Sequence, residues 1–218
     1  NSDEATANIT VNVTKIVNTA NLPQDEQDTF QNPQGGADPS LNVLYPYDNT
    51  VMPLRVLAPE IQWSGGQGGD TYRLRMTSNH MAYVEFISAN PPSMHTLSQQ
   101  QWEDIQFSGD GPFSDPLVVE LTRKSGGVVY QPKIFNIRIA QDFVHGSVYY
   151  WQLPDACGSG NGKILRISPN STQSDEFFPT GDCWGCHTVS RDGNEMMGSW
   201  SVGFPFPLQT LNLTQTPA

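Results

Sequence analysis

Apolar residues recur at every second position in a series of short runs between Leu41 and Ser168: LNVLYPY, PEIQW, TYRLRMT, AYVEFIS, PLVVELTR, FNIRIA, SVYYWQL and KILRIS. A period of two puts one side of an extended chain against a core and the other against solvent, so each run predicts a strand. Clusters such as SGGQGGD, SANPPS, SGDGPFSD, KSGG and CGSGNG separate the runs and supply the turn residues. Closely spaced short strands of this kind predict an all-β fold with an antiparallel β-sandwich. One stretch breaks the pattern. In SQQQWEDI, between Met94 and Phe107, Trp102 and Ile105 stand three apart, which predicts a short helix.

The ends of the chain read differently. Ile9, Val11, Val13 and Val17 alternate with Asn, Thr and Lys, a single half-buried strand over residues 8–18 that needs a partner. Leu22 to Ser40 is polar and rich in Pro, Gly and Gln, which predicts a linker or irregular arm. After Ser168 the texture changes to a loop, a compact CWGCHTVSRDG and the apolar MMGSWSVGFPFPLQTLNL. A strand is expected near Ser199 to Val202. From Phe204 onward Pro205 and Pro207 favour an extended tail over a helix. The expected organisation is an arm at 1–40, a sandwich at 41–168 and a small segment at 169–218.

Composition and charge narrow the function. Nineteen glycines and 17 prolines in 218 residues fit a turn-rich β protein. The net charge of −11, with only 11 scattered basic residues, leaves no stripe to neutralise phosphates, so nucleic acid is not an expected partner. No apolar run approaches the roughly 20 residues that span a bilayer, and NSDEATANIT is not a signal peptide. If the protein is exported, its leader has been removed.

The chemistry concentrates in Cys183-Trp184-Gly185-Cys186-His187, which fits C-x-x-C-H, the attachment signature of haem c. Two thiols about one helical turn apart can add to the vinyl groups on one porphyrin edge, and the next residue offers its imidazole to the iron. Cys183 and Cys186 are then thioether links, His187 the proximal ligand, and Trp184 a cover for the ring together with Phe177, Phe178 and Trp200. Two other chemistries use the same residues. Cys183, Cys186, Cys157 and one histidine make a zinc set, although a second C-x-x-C is missing. A redox dithiol would need a βαβ setting, and no such pattern is present.

A single histidine leaves the sixth iron position to another ligand or open, which separates electron carriers from enzymes and sensors. His145, in the turn before SVYYWQL, ranks first as the distal ligand. His80, between TYRLRMT and AYVEFIS, follows, then Met197, then His95. For each histidine the ordinary alternative is a solvated loop residue, and for Met196 and Met197 it is core packing. Cys157, in DACGSGNG, is left unpaired. No G-x-S-x-G, P-loop or G-x-G-x-x-G is present, and the acidic pairs Glu103-Asp104 and Asp175-Glu176 read as solvated charge.

With these residues in view, two resemblances emerge. The order PEIQW, TYRLRMT, AYVEFIS, FNIRIA, QDFVHG, SVYYWQL resembles an immunoglobulin-like or fibronectin type III-like sandwich, with Trp63 on an early inner strand and Tyr149-Tyr150-Trp151 on the penultimate one. The longer series from LYPYDNTVMP to CWGCHTVSRDG is similar to large bacterial exported proteins with a single C-x-x-C-H haem site, which commonly continue into further repeats. The resemblance implies an exported mono-haem c-type cytochrome in the periplasm, on the outer surface or outside the cell. Such a protein is an electron carrier rather than an enzyme. Its redox partner would be a basic protein or another cytochrome. Two other functions use the same features: a cell-surface assembly subunit that donates the 8–18 strand to a neighbouring copy, and a five-coordinate haem enzyme or sensor.

Overall fold

Alternating segments become paired strands, and the fold is all-β. The computed structural model describes residues 10–88, 93–152, 162–168, 171, 173–177, 184–200 and 208–214, with the backbone alone at 184, 185 and 200. The chain divides into two units, residues 1–143 and 144–218.

The first unit contains β1 (Val13–Asn18), α1 (Gln24–Thr29), β2 (Asn42–Tyr45), β3 (Thr50–Leu54), β4 (Glu60–Ser64), β5 (Thr71–Thr77), β6 (Met81–Ile87), β7 (Met94–Thr96), α2 (Gln99–Gln106), β8 (Leu117–Ser125), β9 (Val128–Val129) and β10 (Lys133–Phe143). One sheet runs β1-β6-β5-β8-β10-β3, with β9 paired to β8, and a second runs β2-β4-β7. Their inner faces share one core, in which Ile61 and Trp63 of β4 meet Tyr72, Leu74 and Met76 of β5. The Trp63 and Tyr72 rings lie 4.9 Å apart. The helix expected around SQQQWEDI forms as α2, with Ser98 capping it through the Gln101 N–H, and its Trp102 and Ile105 enter the same core. Central pairs are antiparallel. The two edge strands, β1 on β6 and β3 on β10, join in parallel.

Residues 22–40 are irregular apart from α1, yet they are packed rather than free. Phe30 is fully buried against Phe86 and Val129, on the side of the large sheet away from the main core. Asp38 receives a two-pronged contact from Arg123 of β8, at 2.7 and 2.9 Å, plus the backbone N–H groups of Ser40 and Leu41. Burial raises the Asp38 carboxyl, and these donors outweigh it and hold it below the usual aspartate value. Arg123 also reaches Asp70 and the Gly65 carbonyl. Gly65 sits at φ +85°, and a Cβ there would lie 2.1 Å from the Ser40 carbonyl oxygen, so only glycine lets the arm come this close.

The second unit contains β11 (Val148–Gln152), β12 (Lys163–Ile167), β13 (Asp175–Phe177), β14 (Trp184–Val189), β15 (Glu195–Trp200) and β16 (Leu208–Asn212). They form two three-stranded antiparallel sheets, β11-β12-β13 and β14-β15-β16. Ile164, Phe177 and Met196 are its buried apolar cluster among the described residues. The division between the units at 143/144 falls earlier than the sandwich boundary expected at Ser168. SVYYWQL and KILRIS are strands as expected, but they pair with each other and with β13. Tyr149-Tyr150-Trp151 therefore lies in a different unit from Trp63. Among the described residues, no helix is long and apolar enough to cross a membrane.

Candidate functional site

The C-x-x-C-H run, from Trp184 on, lies along β14, which among the described residues is an edge strand bonded to β15 alone. Its backbone is extended over Trp184–Val189. The strand conformation has a local cause. Trp184 to Val189 pairs antiparallel with Glu195 to Trp200 around a tight loop held by Ser190 and Asp192, whose side chains bond the Glu195 and Asn194 N–H groups.

The ladder is irregular at the motif itself. Gly185 pairs with Ser199 and His187 with Gly198, so two steps on β14 face one step on β15, and Cys186 is the extra residue. Such a bulge breaks the alternation of side chains and re-aims the residues that flank it. Cys186 is exposed. His187 is half-buried, with Nε2 3.3 Å from the Tyr149 carbonyl oxygen of β11, so this imidazole nitrogen donates there. Cys183 lies outside the described residues, and of Trp184 and Trp200 only the backbone is described.

Register decides which neighbours share the His187 face. Paired residues point to the same side of a sheet. His187 stands with Gly198, and Val189 with Met196. Met196 is fully buried with Ile164 and Phe177, in the role expected of a core methionine. Met197 stands opposite Thr188, on the other face from His187, and is 45% exposed. The Phe177 and Tyr149 rings meet edge-on at 5.0 Å, and Arg166 lies over Phe177 while pairing with Asp175. This pairing raises the Arg166 guanidinium above its usual value.

The three other histidines occupy different settings. His145, in the turn before β11, is exposed and belongs to the same unit as His187. His80 lies in the β5–β6 turn, as expected, and belongs to the first unit, where it contacts Asp110 at 3.1 Å and Asn12 at 3.3 Å. His95 of β7 donates to Glu85, a buried carboxylate that also accepts from Tyr83 and Thr19. Burial alone would raise the Glu85 carboxyl; the donors from His95, Tyr83 and Thr19 prevail and hold it below its usual value. The Tyr83 hydroxyl is pushed up by burial and by this carboxylate. Nothing in the sequence announced this network, because Thr19 and His95 lie outside β6, the strand that carries Tyr83 and Glu85.

The donor set of the motif suits haem: two thiols and an imidazole with no carboxylate bonded to the ring among the described residues. Among those residues no three of His, Cys, Asp and Glu come together as a metal site. Cys157 and Cys183, on which the zinc reading depends, lie outside them. No protein-family model matches the chain, and no curated protein matches it.

Proposed function

We propose that the chain is a mono-haem c-type cytochrome that transfers electrons, exported to the periplasm, the outer surface or the medium. The observation that carries this reading is Cys183-Trp184-Gly185-Cys186-His187, a run that chance placement would give in roughly one chain in a thousand of this composition. The exposure of Cys186 supports the reading, because thioether formation needs a reachable thiol. Cys183 and Cys186 would hold the porphyrin, and His187 would be the iron's proximal ligand. The chemistry supplied is a one-electron change at iron.

The protein's own residues do the rest. Leaving the Tyr149 carbonyl frees His187 Nε2 for the iron. Tyr149, whose carbonyl His187 touches, packs against Ile164 and Phe177, and an apolar cluster beside the iron site would lower the local dielectric and tune the potential. His145 remains the first distal candidate because it shares a unit with His187. The net charge of −11 favours a basic redox partner, with association weakening as salt rises.

The test is the optical spectrum of oxidised and reduced protein, made in a host that attaches haem c, together with its intact mass. A Soret band and a mass increase of one haem, both lost in the Cys183→Ser/Cys186→Ser double variant, are expected. Colourless protein without an adduct overturns the reading. Rapid binding of carbon monoxide would replace electron transfer by a five-coordinate enzyme or sensor. The assembly role requires β1 to be donated, and β1 is used within its own chain, paired with β6 and tied by Lys15 to Asp104 and by Thr19 to Glu85.

A further inference from the structure

The large sheet of the first unit ends in two unlike edges. On β3 the edge is blunted by Pro53, which has no N–H to offer an added strand. On β1 there is no proline, and its one lysine, Lys15, is turned to Asp104 at 2.9 Å rather than guarding the edge. The parallel register tells which groups are free. Val13 donates to the His80 carbonyl at 2.9 Å and pairs with Met81, so Val13, Lys15 and Val17 bond β6. The amide and carbonyl groups of Thr14 and Ile16 then point outward, and among the described residues no strand pairs with them.

The same strand is one wall of a groove of about 790 Å³, whose other wall is α2 and the loop after it. Val11, Val13 and Phe107 give it exposed apolar surface, at 65%, 47% and 56% exposure. Glu103, Asp104 and Asp110 give it three carboxylates against Lys15 and His80. Lys15 and Val17, on the same side of β1 as Val11 and Val13, meet α2 and the main core. A strand added beside Thr14 and Ile16 would therefore direct alternate side chains along the groove side.

We propose that this edge and groove dock an extended segment of another protein, added as a further strand, whose groove-facing positions, every second residue, carry both apolar side chains and lysine or arginine. Main-chain bonds to Thr14 and Ile16 supply affinity, Val11, Val13 and Phe107 take the apolar side chains, and Glu103 and Asp110 take the cations. The acidity of the groove selects the occupant. A second copy of this chain, at net charge −11, would bring carboxylates to carboxylates.

Amide hydrogen exchange on the full chain tests this, with a synthetic eight-residue peptide in which threonine occupies every other position and valine and lysine take turns at the positions between, and a control with glutamate for lysine. The lysine peptide is expected to slow exchange at Thr14 and Ile16 about tenfold, with Val13 and Lys15 unchanged and the glutamate peptide inert. Thr14→Pro, which removes an outward N–H and no bond to β6, should abolish the effect. Glu103→Gln/Asp110→Asn should weaken it severalfold and flatten its salt dependence. Absence of protection, equal protection by the glutamate peptide, or protection that rises with protein concentration alone overturns the proposal, the last by placing a second copy on the edge. Because the exchange pattern needs no variant, a Thr14→Pro protein that failed to fold would leave the result intact.

Discussion

The two units differ in what holds them together. The first, over its described residues, buries twenty apolar side chains in one cluster and adds a buried ion cluster and a buried Glu85 network. The second, over its described residues, buries three, Ile164, Phe177 and Met196, although it carries the whole C-x-x-C-H run. Folds with few buried side chains add a staple. On the proposed function the second unit's staple is the covalent haem, and the first unit is a scaffold stable without it.

The comparison breaks most sharply at Arg123. Arg123→Met leaves Asp38 and Asp70 buried without their cation, and should cost the first unit about 3–5 kcal/mol in urea unfolding. The haem spectrum of the still-folded fraction should be unchanged. Preventing haem attachment with Cys183→Ala/Cys186→Ala should act on the other unit alone. Exchange of the β11 to β16 amides should rise about tenfold or more, with β5 and β8 as protected as before. Equal protection in both units with and without haem would show that the second unit needs no such staple.

Smaller effects sharpen the account of the scaffold. Glu85 and Asp38 are both held below the usual carboxylate range in the folded state, so the unfolded chain takes up protons first as pH falls. Their contribution is complete above about pH 4 to 5 and is lost as pH drops through the folded values. First-unit thermal midpoints should therefore fall on acidification. Glu85→Gln should cost about 1–2 kcal/mol near neutrality and make the acid slope shallower, the remainder belonging to Asp38 and to Asp48 and Asp104, whose hydrogen-bond donors also hold them below the usual value. Smallest is Lys15→Ala. Its pair with Asp104 is more than a third exposed on both sides, so the loss should stay below about 1 kcal/mol by differential scanning calorimetry.

Local pattern carried much of the fold. PEIQW, TYRLRMT and AYVEFIS became β4, β5 and β6, and the Trp102/Ile105 spacing became α2, because burial on one face is written at short range. The shorter strands escaped notice. TVMPL contains a proline, MHT and DEF are three residues long, and none shows a full period. QDEQDT forms α1 without a buried residue, so no apolar stripe marks it. Alternation also says that a segment is a strand without saying which strand it joins, so the early division at 143/144 was not legible. The Asp38 contact to Arg123 spans 85 positions and leaves no trace in either neighbourhood. At the candidate site the thiol and imidazole types were legible as a motif, whereas the bulge at Cys186 and the opposite facing of Met197 arise only from register.

The marginal place of β14 bears on how the finished protein could be made. A strand bonded along one flank can be peeled from its sheet by opening a single ladder, while the first unit keeps every one of its bonds. On the proposed function, haem attachment would then be a late event on a largely completed chain, with the thiol-bearing ribbon lifted out, modified and laid back, and no global unfolding demanded of the nascent molecule.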